Sequence, residues 1–177
     1  MHRLDQKSEQ NIINMLLDQQ QLNTEQVNQI NTISNEAGKT KLEIAFQLNF
    51  TSEEKILSLL SNTYSLPIVK LEEYLVSPEL EKLIDIRFLK ENTIVPFEIV
   101  NGTIKIAIPD ASKLSLIKNL ETLTKKTPEL FAASITDIAD FLEKIVKHEY
   151  ENQSKKKNGK DKKLEQVKQA KEKIPLE

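Results

Sequence analysis

Apolar residues recur at helical spacing from the start of the chain. Ile12, Ile13, Leu16 and Leu17 form one stripe and predict a first helix from about Ser8 to Gln20. Asn23 then stands where its side chain can accept from the N–H groups of a second helix, with Gln26 reaching back and Leu22 and Val27 placed as a hydrophobic staple. That helix is expected to pass Ile30 and end near Ser34, and Gly38 breaks the pattern. Thr40 with Glu43 predicts a capping box for a third helix bearing Leu42, Ala45 and Phe46. Thr51 with Glu54 predicts the same device before Ile56, Leu59 and Leu60.

These four helices contain a duplication with a period of 29 residues. Leu16 and Leu17 match Ala45 and Phe46, Gln20 matches Asn49, Val27 matches Ile56, and Ile30 matches Leu59. Each half is a helix-turn-helix hairpin. Residues 8–63 are therefore expected to form a helical subdomain of two hairpins.

From Tyr64 the texture changes. Leu66-Pro67-Ile68-Val69 predicts a short strand with Pro67 at its start, where a missing N–H does no harm. Ser77-Pro78 places a proline in the first turn of a helix carrying Leu80, Leu83 and Ile84, and a second short helix follows through Phe88 and Leu89. Thr93 to Val100 and Thr103 to Ile108 are rich in β-branched residues and flank Asn101-Gly102, a pair suited to the positive φ angles of a two-residue hairpin. Alternation of Ile104, Ile106 and Ile108 with Lys105 and Ala107 predicts one buried face. Ser112 is expected to cap a helix with Leu116, Ile117, Leu120 and Leu123 facing inward. Pro128 to Ala133 reads as a further strand, and Ser134 with Asp137 caps a last helix with the stripe Ile135, Ile138, Ala139, Leu142, Ile145 and Val146. The fold class is α+β: residues 64–150 read β-α-α-β-β-α-β-α, a small sandwich of helices on a mostly antiparallel sheet.

Beyond Tyr150, residues 151–177 are Lys, Asn, Gln and Glu with little apolar mass. They read as a disordered or partly helical Lys-rich linker or tail, helical around Leu164 and Val167. The terminal Leu176-Glu177 has the look of an added dipeptide, which leaves open that the chain is a fragment. Charge separates the two parts. The tail carries nine Lys against five acidic residues, so the chain's net charge of −2 leaves residues 1–150 at −6. An acidic body argues against nucleic acid as a partner, and DNA binding through the hairpins is disfavoured on that ground.

No residue set announces chemistry. GxxxxGK[ST] and GxGxxG are absent, there is no Cys, and the two histidines are His2 and His148. Asp137 and Asp140 flank one helical turn, but a cap and a solvated face account for them better than a metal does. Glu53 and Glu54 read as first-turn residues complementing the helix dipole rather than as catalytic carboxylates. His148 reads as a surface residue near a helix end. No catalytic, metal-ligating or cofactor-binding residue is assigned. With no stretch of about 20 apolar residues and no cysteine, a cytoplasmic protein is expected.

The ordered set Glu53-Glu54-Lys55-Ile56, Tyr64-Ser65-Leu66-Pro67-Ile68-Val69-Lys70-Leu71, Ser77-Pro78-Glu79-Leu80, Val95-Pro96-Phe97 and Ile106-Ala107-Ile108-Pro109-Asp110 resembles the N-terminal domain of bacterial type II secretion and type IV pilus assembly ATPases. The resemblance spans about residues 10 to 146. It implies a non-enzymatic regulatory or protein-interaction module that docks the cytoplasmic domain of an inner-membrane platform protein and precedes a hexameric ATPase, so the chain would sit peripherally at that membrane through its partner. Lacking a Walker lysine, this chain is not expected to hydrolyse ATP.

In one branch of the family the resemblance implies a cyclic di-GMP site with an Arg-Leu-Gly triplet at each repeat start and a Gly about seven residues later. Here the triplets are Asn11-Ile12-Ile13 and Thr40-Lys41-Leu42, and the later positions are Gln20 and Asn49. With neither arginine nor glycine in place, cyclic di-GMP is an unlikely ligand. The alternative reading is a stand-alone nucleotide-sensing or adaptor domain of the same fold with a degenerate cyclic di-GMP site.

Overall fold

In the computed structural model, which describes residues 4–150, α1 (Gln6–Asp18) starts two residues before the expected Ser8. Asp5 is the cap: its carboxylate accepts from the Ser8 N–H at 2.9 Å and from the Ser8 hydroxyl at 2.7 Å. Helix α2 (Thr24–Ala37) opens with the predicted Asn23–Gln26 capping box and closes on Gly38 in the left-handed region. Helix α3 (Lys41–Gln47) opens with the Thr40–Glu43 box. Helix α4 (Glu53–Tyr64) corrects the sequence reading, because Ser52 and not Thr51 is its cap, accepting from the Lys55 N–H at 3.3 Å. Thr51 is buried instead.

The two hairpins share one core. Ile12, Ile13, Leu16, Leu22, Ile30, Leu42, Ile44, Ala45, Ile56 and Leu60 form it, with Val27 packed beside them. Ala132 and Ile135, from the far end of the chain, complete it.

A three-stranded sheet organises the second core. β1 (Val95–Val100) and β2 (Thr103–Ile108) form the predicted hairpin, with Asn101 and Gly102 at φ 49° and 82°, the paired positive angles that match the strands' twist. The first strand starts later than Thr93, which instead closes α6 (Ile86–Asn92) in the left-handed region. β3 (Thr127–Ala132) lies on the other side of β2 and runs parallel to it. The sheet is thus half antiparallel and half parallel, not mostly antiparallel. The expected strand at Leu66–Val69 is reduced to a single parallel bridge, Ile68 to Ala132, held by Val69 N–H to Ala132 O at 3.0 Å and Ala132 N–H to Pro67 O at 2.9 Å. Pro67 cannot donate, which is one reason the ladder does not extend backwards.

The remaining elements pack around the sheet. A 3-10 turn at Leu71–Glu73 follows the bridge, and α5 (Pro78–Leu83) opens on Ser77 with Pro78 in its first turn, as predicted. The cap expected from Ser112 comes from Asp110, whose carboxylate accepts the Ser112 N–H at 2.8 Å. The chain first forms a 3-10 segment, Ala111–Leu116, and only then α7 (Ile117–Thr124). Residues 135–150 form α8, started by Ser134, whose hydroxyl accepts the Asp137 N–H at 3.0 Å. Leu80, Leu89, Ile104, Ile106, Ile108, Leu120, Ile138, Phe141 and Ile145 belong to the second core, with Leu116 packed against it, whereas Ile117 and Leu123, expected inward, are exposed. Ala107, expected on the open face, is also fully buried, so at its end β2 is covered on both sides. The reading of residues 151–177 as a tail lies outside the described residues.

Candidate functional site

Two grooves and two polar ties between the hairpins and the sheet unit mark the described surface. The first groove, of about 670 Å³, lies between the start of α1 and the α2–α3 turn. Lys7, Lys39 and Lys41 enter it together with Glu9, Gln10 and Thr40. The groove is organised by hydrogen bonds between the two repeats: Lys41 Nζ donates to Gln10 Oε1 at 2.8 Å, and Leu42 N–H donates to Glu9 Oε1 at 3.1 Å. It is polar, carries an excess of lysine, and sits beside the second triplet position.

The residues at the two triplets do other work. Ile12, Ile13 and Leu42 are core residues, and Thr40 is a helix cap. Gln20 and Asn49 are exposed and both left-handed, at φ 56° and 54°. The one arginine among the described residues, Arg87, is turned onto its own helix cap. Its guanidinium bonds Asp85 at 2.8 and 3.2 Å and holds that carboxyl down at about 2.

The second groove, of about 680 Å³, is apolar. It runs along α8 and is lined by Leu4, Ile135, Ala139, Leu142, Val146 and Tyr150, with Lys90, Glu143 and Lys147 at its rim. The sequence stripe of α8 had placed these aliphatic residues inward. The helix does so: Ile135 joins the hairpin core, Ile138, Leu142 and Ile145 join the second core with Phe141, and Ala139 is buried as well, while Val146 is half-buried at the groove.

The polar ties join the hairpins to the sheet unit. Lys113 is 6% exposed and reaches Asp5 Oδ2 at 2.8 Å. Burial pushes the Asp5 carboxyl up, but the Lys113 hydrogen bond and those from Ser8 outweigh it and hold Asp5 at about 2. Glu53 accepts from the Thr136 N–H at 3.2 Å and the Thr136 hydroxyl at 2.7 Å, so it closes the first turn of α8 from another element. Its local reading as a dipole residue missed this partner, 83 residues away, because nothing in a linear pattern reports such a pairing. On the sheet, Lys105 bonds Glu98 at 2.7 Å, which raises the lysine's pKa.

Asp137 offers its backbone to Ser134, and His148 is half-buried on α8. Among the described residues no group of three His, Asp or Glu side chains is arranged to hold a metal. His2 falls outside them.

The family model for the MshEN domain matches residues 64–151. Residues 64–151 belong to the MshEN domain family. This domain stands at the N-terminus of type II secretion and type IV pilus ATPases and is itself non-catalytic. The type IV pilus assembly ATPase PilB of Myxococcus xanthus (strain DK1622) is 26% identical over 92 residues, which are 52% of this chain and 16% of that protein. The chain therefore spans a small part of this curated relative.

Solved structures extend the MshEN likeness in three dimensions. The N-terminal domain of XpsE superimposes with a TM-score of 0.54 at 21% identity, covering 80% of this chain and 98% of that one. MshE with cdg, cyclic di-GMP, superimposes with a TM-score of 0.55 at 19% identity, covering 76% and 97%. At these identities the likeness is one of fold. The covered shares exceed what residues 64–151 supply, so the superposition takes in part of the helical hairpins as well. No helix among the described residues is long and apolar enough to cross a membrane.

Proposed function

We propose that this chain is the regulatory head of a type II secretion or type IV pilus ATPase. Residues 8–63 and 64–150 form its helical and α+β subdomains, and residues 151–177 connect it onward. The head docks the cytoplasmic domain of an inner-membrane platform protein and transmits that docking to a motor domain, which places it at the cytoplasmic face of that membrane. The observation that carries this reading is the MshEN match within a fold that also superimposes on the N-terminal domain of XpsE. The grooves and ties described above offer binding surface and rigidity rather than a nucleophile or acid–base pair. Immobilised chain should retain the cytoplasmic domain of the platform protein from the same system. Absence of retention at tens of micromolar would overturn the reading.

A second reading, nucleotide sensing, is favoured by the polar groove with Lys7, Lys39 and Lys41 beside the start of the second repeat. The ligand would differ from cyclic di-GMP, because Asn11 and Thr40 stand where the related branch has arginine, and Gln20 and Asn49 where it has glycine. Titration calorimetry should register no cyclic di-GMP affinity of micromolar or better, and such an affinity would sink this assignment. A thermal-shift screen separates the two readings. A specific nucleotide at 100 times its dissociation constant adds about 2.7 kcal/mol of stability, and a set of nucleotides that moves nothing leaves docking alone.

A further inference from the structure

α8 is shared between the two cores. In its first turn, Ile135 is 6% exposed and belongs to the hairpin core, Thr136 is exposed and Asp137 is half-buried. Ile138 is the first residue of the helix in the second core, and Phe141, Leu142 and Ile145 follow it there. Just ahead of the helix, Ala132 ends β3 inside the hairpin core as well. We propose that residues 135–137 are a conformational switch: this turn is helical only while the hairpins are seated on it, and α8 from Ile138 onward stays with the sheet unit whether they are seated or not.

The hydrogen bonds at the start of α8 divide in the same way. The first N–H groups of a helix have no partner inside it and need acceptors from outside. Ser134, a local cap, accepts from the Asp137 N–H at 3.0 Å. Thr136 depends on the hairpins, because its N–H and hydroxyl donate to Glu53, at the start of α4, at 3.2 and 2.7 Å. The Glu53 carboxylate also sets a negative charge at the positive end of the α8 dipole. Lifting the hairpins therefore removes a charged acceptor and the burial of Ile135 together. A helix end left with one local cap and no packed side chain frays, since each turn fixes several backbone angles for few hydrogen bonds.

This inference rests on the docking reading for what moves the hairpins, and it names how docking is felt. A partner that binds α1–α4 more tightly when they are unseated frays the turn, and one that prefers them seated holds it. Either way the state of the hairpins is written into the start of α8, the helix that reaches the last described residue, Tyr150. The Asp5–Lys113 pair, at 2.8 Å, fastens the same two units at α1 and the 3-10 segment.

Hydrogen exchange on the full chain, with no partner present, tests the switch separately from docking. Ile30 lies on α2, fully buried in the hairpin core. Ile30→Val should speed exchange about five-fold at the Leu16 amide in that core and equally at the Ile138 amide, which donates to Ser134 O at 3.1 Å. Ile106 and Ile145, in the second core, should keep the parent rates. Equal acceleration at all four amides would make the chain one cooperative unit, and an unchanged Ile138 would detach the turn from the hairpins; either result overturns the proposal. As a second measurement, Glu53→Ala should speed exchange at Asp137 and Ile138 about five-fold, and Glu53→Gln, which keeps an oxygen acceptor, should do so less. Parent rates at both amides in Glu53→Ala also overturn it.

Discussion

Gln20 and Asn49 occupy equivalent places in two repeats, 29 residues apart, and both adopt left-handed backbone, at φ 56° and 54°. The hydrogen bonds around them repeat at the same spacing. Gln20 N–H donates to Leu17 O and Asn49 N–H to Phe46 O, each at 3.0 Å, while Gln21 donates to Leu16 and Phe50 to Ala45 at 2.8 and 2.9 Å. A Cβ in this region costs about 1 kcal/mol, less for Asn, whose short amide tolerates it. Gln20→Gly should therefore stabilise the chain by about 0.5 kcal/mol, and Asn49→Gly should change it by less, as read by urea denaturation. A loss of stability in Gln20→Gly would show that the side chain matters more than the backbone strain.

The 29-residue repeat also shows what could be read from the chain and what was missed. Asn23 caps α2, and adding the period gives Ser52, the observed cap of α4. Local chemistry pointed one residue away, to Thr51, because Thr51 with Glu54 satisfies the capping-box pattern, whereas Ser52 has Lys55 three residues on and caps without a reciprocal bond. The same limit explains Asp110. Its carboxylate reaches the Ser112 N–H, yet Ser112 itself is an equally good cap type, and only the buried position of Asp110 separates them. Helix stripes and the Asn101-Gly102 hairpin were legible because they are set by neighbours in sequence. Parallel pairing of β3 with β2, the ties from Asp5 and Glu53, and the groove beside α8 depend on contacts far apart in sequence.

The Asp5–Lys113 pair makes stability depend on acid. Asp5 falls from 3.8 to about 2 in the folded chain, so its contribution is fully present above the unfolded value near pH 4 and is lost as pH falls through about 2. Because Asp5 is one-third exposed, the pH-dependent part is discounted to about 1 kcal/mol. Asp5→Asn should cost about 2 kcal/mol at pH 7, since it also leaves the buried Lys113 ammonium without its carboxylate. The gap between parent and variant should narrow between pH 4 and pH 2 in denaturation curves, and a constant gap would remove the pair from the account.

Glu53 and Thr136 connect the start of α4 to the start of α8 with two hydrogen bonds to one carboxylate. Hydrogen bonds to a charged group contribute more than neutral ones, but this site is exposed, so about 1 kcal/mol is expected. Glu53→Ala and Thr136→Ala should each destabilise by that order. Their double variant should lose less than the sum, with a coupling of about 0.5 kcal/mol or more. Additive losses would mean that the pair does not act as a tie between the hairpins and the sheet unit.

Phe97 sits at the irregularity between Pro96 and Glu98, where two residues of β1 oppose one of β2. The bulge brings its ring between two others: Tyr74 at 4.7 Å and 68°, Phe131 at 5.2 Å and 86°, both edge-to-face. Edge-to-face pairs contribute about 0.5–1.5 kcal/mol beyond the area they bury, and Phe97 is 2% exposed. Phe97→Ala should thus cost about 3–4 kcal/mol, and Phe97→Leu less, since it keeps most of the apolar volume but loses both ring contacts. Tyr74→Leu and Phe131→Leu should each lose more in the parent than in the Phe97→Leu background, because the central ring couples them. Equal losses in the two backgrounds would reduce the three rings to independent space-filling residues and leave the bulge at Phe97 without its packing rationale.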